Sequence, residues 1–262
     1  MATVRLCVTV GFKSVNVSIM IIQGVSLKNI SVYDASFNSA GALLYLNAGN
    51  TDSYSGSGTT WADLSTYQNN ATLTGTPPWT SAGTASYFSF NGTNQYAPVT
   101  SSDLNVPYTG KTTMFAIRTV NANTGNAIYR CLFGSDGATR NFNTYMYHVS
   151  GSTWQIQYNT GPSFTWVGPL STSFTVTDNQ WIIIAVTQTI SGVLTYYVNG
   201  QQIGTAITGV TFSQYINGSA DAVAQADNLW RGDMGVCAIY GRALNADQIK
   251  QNYNALAIDY GL

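Results

Sequence analysis

The sequence predicts an all-β chain: a two-sheet antiparallel jelly-roll sandwich with a short C-terminal helix and an N-terminal β-arm. Three observations predict it. Over most of the chain, apolar residues alternate with polar ones or form short unbroken apolar runs, as strands inside a sandwich do. Turn-forming Gly and Asn punctuate those runs at short spacing, as in antiparallel folds. A helical pattern occurs only once, after residue 245.

The elements follow in order. Val4, Leu6, Val8 and Val10 alternate, and so do Val15, Val17, Ile19 and Ile21. Gly11 and Gly24 punctuate them, and Leu27, Ile30 and Val32 follow. Residues 1–40 therefore read as two or three strands with no aromatic core before Tyr33. Strands of this kind aggregate when exposed alone, so an arm that pairs with a neighbour is expected. Residues 41–262 read as the main domain. Gly41–Leu46 is its first strand, and a turn-rich loop runs from Asn47 to Thr60. Trp61–Ser65 and Asn69–Leu73 bracket a short loop, and Tyr87–Gly92 alternates and ends in Asn-Gly, a tight-turn signal. Lys111–Val120 and Ala127–Gly134 read as neighbouring strands. Thr144–Val149 and Thr153–Tyr158 form a hairpin around Gly151. Trp181–Ile190 and Val193–Val198 form a second around Ser191-Gly192, and Asn199-Gly200 turns into another short strand.

The chain closes with one strand and one helix. Met234, Val236, Ala238 and Tyr240 are expected on one face of the strand, Cys237 and Ile239 on the other. Asn245 stands where an N-cap belongs, and Gln248 three residues later completes a capping box. Ile249, Tyr253 and Leu256 give one apolar stripe, so the helix is expected to lie as a lid on the end of the sandwich, covering a sheet edge.

Composition narrows the function classes. Only 8% of the 262 residues are charged, against about 25% in ordinary soluble domains. Gly, Ser, Thr, Asn and Gln give the solubility instead, which suits adhesive, secreted or virus-particle proteins. A formal net charge of −1 gives no electrostatic case for nucleic acid or an anionic membrane. All eleven acidic residues are aspartates, and His148 is the one histidine. Glutamate pairs of the glycosidase kind are absent, and a histidine triad has one candidate base, so no catalytic residue is assigned and the chain reads as non-enzymatic. Cys7, Cys131 and Cys237 are far apart and read as small buried hydrophobes rather than metal ligands, so no metal ligand is assigned. Val15–Leu27 is too short and too polar to insert in a bilayer, which takes about 20 residues. No secretory signal is read at the N-terminus.

A resemblance now enters. Trp61-Ala-Asp-Leu-Ser, Asn69-Asn-Ala-Thr-Leu and Phe88-Ser-Phe-Asn-Gly-Thr-Asn-Gln-Tyr96 follow one another. Trp181 with its apolar run, Leu194-Thr-Tyr-Tyr-Val-Asn-Gly200 and Ile239-Tyr-Gly-Arg-Ala-Leu244 with its helix come after them. The ordered set over residues 41–262 resembles the laminin-G-like branch of concanavalin A-like lectin domains. The close, Gln251 to Leu256 and then Asp259-Tyr-Gly-Leu262, and the opening arm resemble versions carried by tailed-phage virion proteins. The resemblance implies a jelly roll for binding or particle architecture, with carbohydrate as the usual ligand. Calcium-binding members place acids just after the position of Met234. Here Gly235 and Val236 stand there, which puts the family's calcium site in doubt; Asp63 is left to cap the loop at Asn69 and Asn70.

Trp79, after Pro77-Pro78, and Trp166, in the Gly161–Pro169 loop, are the candidate ligand-binding residues, because a flat exposed ring suits a sugar face or a partner protein. Trp61 and Trp181 read as core. Arg231-Gly-Asp233 spells an integrin-binding tripeptide but enters a strand, and such a motif means little outside its structural context. Sequons at Asn16, Asn29, Asn70, Asn91 and Asn217 are the expected by-product of an Asn- and Ser/Thr-rich chain. Asp136, Asp221, Asp227 and Asp233 read as turn formers and caps, and His148 as a packed or solvent-facing strand residue.

The reading is a non-enzymatic virion structural protein: a capsid decoration, head fibre or tail component. It is located in the virion, attached to other virion proteins through residues 1–40, and expected to be a homo-oligomer. Its jelly roll is displayed for adhesion to host-surface glycan, with no cofactor. The alternative is a free carbohydrate-binding module, assisted by calcium.

Overall fold

The structure is a computed structural model. It describes residues 3–10, 13–20, 36–99, 104, 108–119, 128–135, 143–159, 166–167, 173–212, 221–223 and 229–262. The chain divides into two compact units, Met1–Asp34 and Ala35–Leu262.

The first unit is a hairpin of β1 (Thr3–Val10) and β2 (Lys13–Met20). Its antiparallel register sets Val4 opposite Ile19, Leu6 opposite Val17 and Val8 opposite Val15. A two-stranded ribbon is marginal by itself in water. The expected third strand, around residues 27–32, lies outside the described residues.

The second unit is a sandwich of two antiparallel sheets. Among the described residues, one sheet runs β13-β12-β11-β10-β18-β8-β5-β4, with β14 also on β12. Its strands are β4 (Thr60–Trp61), β5 (Ala71–Thr72), β8 (Ala97–Val99), β10 (Ile128–Ser135), β11 (Thr144–Ser150), β12 (Thr153–Asn159), β13 (Trp166–Val167), β14 (Ser173–Thr175) and β18 (Asp221–Val223). The other sheet runs β17-β16-β15-β9-β19-β7-β6, with β3 also on β19. Its strands are β3 (Ala42–Asn47), β6 (Trp79–Thr80), β7 (Tyr87–Asn91), β9 (Gly110–Arg118), β15 (Trp181–Thr189), β16 (Leu194–Val198), β17 (Gln201–Ile207) and β19 (Arg231–Tyr240). The predicted neighbours β9 and β10 therefore fall in different sheets. Alternation tells which face a residue takes but not which strand lies beside it.

Between the sheets lies the main core. Phe88, Phe115, Ile117, Ile184 and Ile239 face it from one sheet; Trp61, Phe133, Met146, Trp154 and Ile156 face it from the other. The hairpin turns follow their sequence signals. Gly151 has φ +56° between β11 and β12, and Asn199-Gly200 has φ +49° and +71° between β16 and β17, the double left-handed pair of a tight hairpin turn.

Helix α1 (Ala246–Tyr260) begins at Asn245 with both halves of the capping box formed and ends at Gly261 in the left-handed conformation. It covers a sheet face rather than the predicted edge. Ile249, Leu256 and Tyr260 pack on Met114, Ala116, Ile183, Ala185, Val236 and Ala238, the outward residues of β9, β15 and β19. Three alanines there leave room for a helix to approach. Asn252 is fully buried and donates to the Tyr240 hydroxyl at 3.0 Å.

One finding corrects the predicted faces of the last strand. Met234 packs in the inter-sheet core with Cys237 and Ile239, while Val236, Ala238 and Tyr240 face the helix. Against β9, Met234 pairs with Ile117 and Val236 with the adjacent Ala116, so Gly235 is an inserted bulge residue. The insertion shifts the alternation by one and moves Met234 to the opposite face. A Cβ at Gly235 would lie 1.9 Å from the Tyr260 hydroxyl. That hydroxyl is buried without a hydrogen-bond partner.

Gly235→Ala should therefore destabilise the sandwich by about 2–3 kcal/mol through overpacking. Tyr260→Phe should be neutral or stabilising by up to about 1 kcal/mol, since it removes a buried hydroxyl that bonds to nothing. Chemical denaturation of the two variants checks both; a stabilised alanine variant would contradict the bulge.

Candidate functional site

The outward face of the eight-stranded sheet is occupied by α1. The corresponding face of the other sheet is built from β10, β11, β12 and β14. Met146, Trp154, Ile156 and Tyr158 take the inward positions of β11 and β12, so the residues between them face outward. The register aligns these in two rows. Tyr129, Tyr147, Gln155 and Ser173 form the first, and Cys131, Tyr145 and Gln157 the second.

The first row combines flat rings with amides. The Tyr129 and Tyr147 rings lie 4.6 Å apart, and Tyr145 meets Tyr129 edge-on at 6.4 Å. Gln157 Nε2 donates to the side-chain Oε1 of Gln155 at 3.4 Å, and Gln155 Nε2 donates to Ser173 Oγ at 3.0 Å. That chain leaves Gln157 Oε1 as a buried acceptor with no partner. Desolvation, and then the neighbouring Tyr147, raise the Tyr129 hydroxyl above its ordinary value, so it stays neutral. The face is thus uncharged among the described residues; Cys131, Tyr145 and Gln155 within it are buried, and Tyr129, Tyr147 and Ser173 reach solvent. Sequence reasoning missed these residues. The signal was there: tyrosines or glutamines two apart in both strands of one hairpin, where a one-sided strand would carry small polar residues.

The two predicted tryptophans lie in different sheets. Trp79 opens β6 at the edge of the eight-stranded sheet, half-buried, with its indole N–H donating to the Ala48 carbonyl at 3.2 Å and its ring against Tyr54 at 5.4 Å. It ties the 47–60 loop to the sheet. Trp166 lies in β13 at the far edge of the other sheet, paired with Asn159, two residues beyond Gln157; its side chain lies outside the description. Trp61, Trp154 and Trp230 are buried, while Trp181 sits on the helix side against Tyr260 at 4.4 Å.

The polar candidates are structural. Asp63 Oδ1 accepts from the Tyr45 and Ser65 amides at 2.7 and 2.8 Å. Its Oδ2 accepts from Ser65 Oγ at 2.6 Å and the Asn69 amide at 2.8 Å. Four protein donors thus surround the carboxylate, and Gly235 and Val236 carry no ligand oxygen in their side chains. These residues do not fit the calcium site that the family resemblance would place there. Among the described residues no three His, Cys, Asp or Glu come together. His148 faces inward, with Nε2 2.9 Å from the Gly151 carbonyl and its ring against Trp154. Asp136 and Asp227 lie outside the described residues.

Asp233 is neither a turn former nor part of an accessible tripeptide. It is 2% exposed within β19. Arg118 binds its Oδ2 through Nε and Nη2 at 2.7 and 2.6 Å, and Ser89 Oγ donates to Oδ1 at 2.5 Å. The Arg118 guanidinium lies over the rings of Tyr87 and Trp181. This row locks β7, β19, β9 and β15 together.

A family model described as the concanavalin A-like lectin/glucanases superfamily, of laminin G type, matches residues 90–250. The chain belongs to that superfamily. Solved structures share the fold. The receptor binding domain of a botulinum neurotoxin C/D mosaic serotype aligns with TM-score 0.62 and 13% identity over 82% of this chain and 51% of that one. The ligand binding domain of botulinum neurotoxin serotype D, in complex with N-acetylneuraminic acid, gives 0.61 and 13% over 81% and 50%. Domain 4 of an extracellular arabinanase from Geobacillus stearothermophilus, in complex with arabinotriose, gives 0.57 and 16% over 81% and 98%. The chain therefore spans about half the length of the toxin domains and nearly the whole of the arabinanase domain. No curated protein matches its sequence.

Removing the carboxylate of the interior pair should cost more than a surface ion pair would. Asp233→Ala should lower stability by about 2–4 kcal/mol, the lower part of the range for a broken buried pair because Arg118 keeps some contact with water. Urea unfolding measures it; a loss below about 1 kcal/mol would place the pair among ordinary surface contacts.

Proposed function

We propose that this chain is a non-catalytic glycan-binding jelly roll, displayed on a virus particle by its N-terminal hairpin. The observation that carries the glycan half is the outward face of β10–β12 and β14. The partly exposed rings of Tyr129 and Tyr147 offer flat apolar surface for a sugar ring, and the exposed Ser173 hydroxyl beside them offers a directional bond. Two solved structures of the same fold carry sugars, which supports the same ligand class here. Trp166 stands in β13, the strand beside β12, and Trp79 at the edge of the other sheet.

The hairpin supports the particle half. It forms a unit of its own, and a two-stranded ribbon gains stability when a neighbouring protein adds a strand to its edge. Other virion proteins are the proposed acceptors, and assembly into a homo-oligomer multiplies weak glycan contacts. A free carbohydrate-binding module would use the same sheet face without the arm.

A glycan array checks the ligand half. Tyr147→Ala and Gln155→Ala should each reduce binding at least about tenfold, the loss of roughly 1.4 kcal/mol per removed contact, with unchanged melting temperature. Binding that survives both substitutions would move the site elsewhere. Mass spectrometry of gradient-purified particles checks the arm. Full-length chain should be present in stoichiometric amount, and chain lacking residues 1–34 should be left in the lysate while still folded. Normal incorporation of the truncated chain would refute anchoring.

A further inference from the structure

Asn-Gly occurs three times in the chain, at Asn91, Asn199 and Asn217. This dipeptide is prone to cyclise in water, because glycine has no Cβ to keep its nitrogen from the asparagine side-chain carbon. Asn217 lies outside the described residues, and the fold treats the other two differently. Asn199 is half-buried. Its Oδ1 accepts from the Ile183 amide at 2.9 Å, and its own amide donates to the Ile183 carbonyl at 2.7 Å, so the side chain is held toward β15. A Cβ at Gly200 would lie 2.8 Å from the Tyr253 ring, which packs the helix against this turn.

Asn91 is exposed at the end of β7, and its side chain turns forward over Gly92. Oδ1 accepts from the Thr93 and Asn94 amides at 2.9 and 3.1 Å, and Nδ2 donates to Asn94 Oδ1 at 2.7 Å. The backbone amide of Asn91 is held by Gln95 Oε1 at 2.9 Å. Two amides on the side-chain oxygen draw electrons from Cγ, and they are placed to hold the negative charge that develops when a nucleophile adds there. The acceptor on Nδ2 faces the group that must leave. Gly92 is the residue this turn requires, since it has φ +71° and a Cβ on it would lie 2.8 Å from that of Arg231.

Arg231 stands opposite Asn91 in the β7–β19 pairing. The next pair on the same face, Ser89 and Asp233, meets through its side chains, and residues directly opposite in an antiparallel pair lie within reach of each other. Among the described residues the one ion pair is that of Arg118 with Asp233, so Arg231 has none.

We propose that Asn91-Gly92 is a self-modification site, where the chain converts Asn91 to aspartate and so supplies Arg231 with a carboxylate. The Gly92 nitrogen bonds to Asn91 Cγ and the Cγ–Nδ2 bond breaks; Nδ2 leaves as ammonia with the Gly92 amide proton. Water then opens the cyclic imide at Cγ, which restores the Gly92 peptide and leaves a carboxyl group that ionises at neutral pH. The pairing with Arg231 opposes the other opening, at the main-chain carbonyl, because isoaspartate would insert an extra backbone atom into β7. The product carboxylate keeps its two amide donors and faces a guanidinium, and both favour the charged form. It adds a second ion pair beside that of Arg118 and Asp233 and ties β7 to β19 as the chain ages.

The test follows the full chain by peptide mapping and mass spectrometry during incubation in mildly alkaline buffer, folded and in urea. In urea Asn91 and Asn199 should convert at similar rates. In the folded chain Asn91 should convert at least about tenfold faster than Asn199, with aspartate as the main product. An Asn91 that stops converting on folding is protected by its hydrogen bonds rather than activated, which overturns the site; isoaspartate as the main product overturns the assigned opening. Thermal unfolding of N91D, R231Q and the double variant tests the ion pair. N91D should melt about 1–3 °C above freshly purified wild type, with the gain reduced by salt and lost in the R231Q background. No gain, or a gain that survives R231Q, overturns the pairing.

Discussion

The sandwich depends on β19. That strand is paired on both sides, with β9 along one edge and with β7 and then β3 along the other. Its side chains must therefore serve both the inter-sheet core and the surface under the helix. A regularly alternating strand would place Asp233, Gly235, Cys237 and Ile239 together. The bulge at Gly235 lets Asp233 face Arg118 on the helix side, turns Met234 into the core, and then resumes with Val236 outward. Only glycine serves there, because Tyr260 from the helix lies on the space a side chain would fill. One residue thus reconciles a buried ion pair, a core and a helix seat within ten positions.

The helix in turn decides which face of the molecule is left for a ligand. Its capping box and left-handed glycine define its two ends, and its apolar stripe lies on a surface of alanine, valine and methionine. The helix leaves the other sheet's outer face uncovered, and there alternation in β11 and β12 brings tyrosine and glutamine outward while tryptophan, isoleucine and methionine turn in. Tyr145 and Gln155 are buried on that face, and Tyr129 and Tyr147 remain partly exposed.

How much of this was legible in the sequence follows from what each signal encodes. Gly151, Ser191-Gly192 and Asn199-Gly200 marked their hairpins because left-handed turns need those residues. Asn245 and Gln248 marked the helix start because capping is local chemistry. Which sheet receives β9 and which β10 is set by pairings more than a hundred residues away, such as Met114 with Ala238, and no local pattern carries that. The bulge was signalled only by an isolated glycine in an apolar run, a hint that alternation overrides when read alone. Trp79 was singled out for its prolines and size, yet a ring beside a loop is as useful for holding that loop as for meeting a ligand. Tyr147 and Gln155 went unnoticed because tyrosine and glutamine in a strand look ordinary until the register puts them side by side.

Charge is scarce in this chain, and that makes each charge informative. Arg118 and Asp233 neutralise each other inside a row that four strands share, so their role is exhausted by the fold. Arg130 and Arg231 stand in different sheets and are partly buried, and neither has an ion pair among the described residues. Beside Arg231 the 91–95 loop carries no acid: the side-chain amides of Asn91, Asn94 and Gln95 are engaged with one another and with nearby backbone, so that loop keeps its polar order without charge.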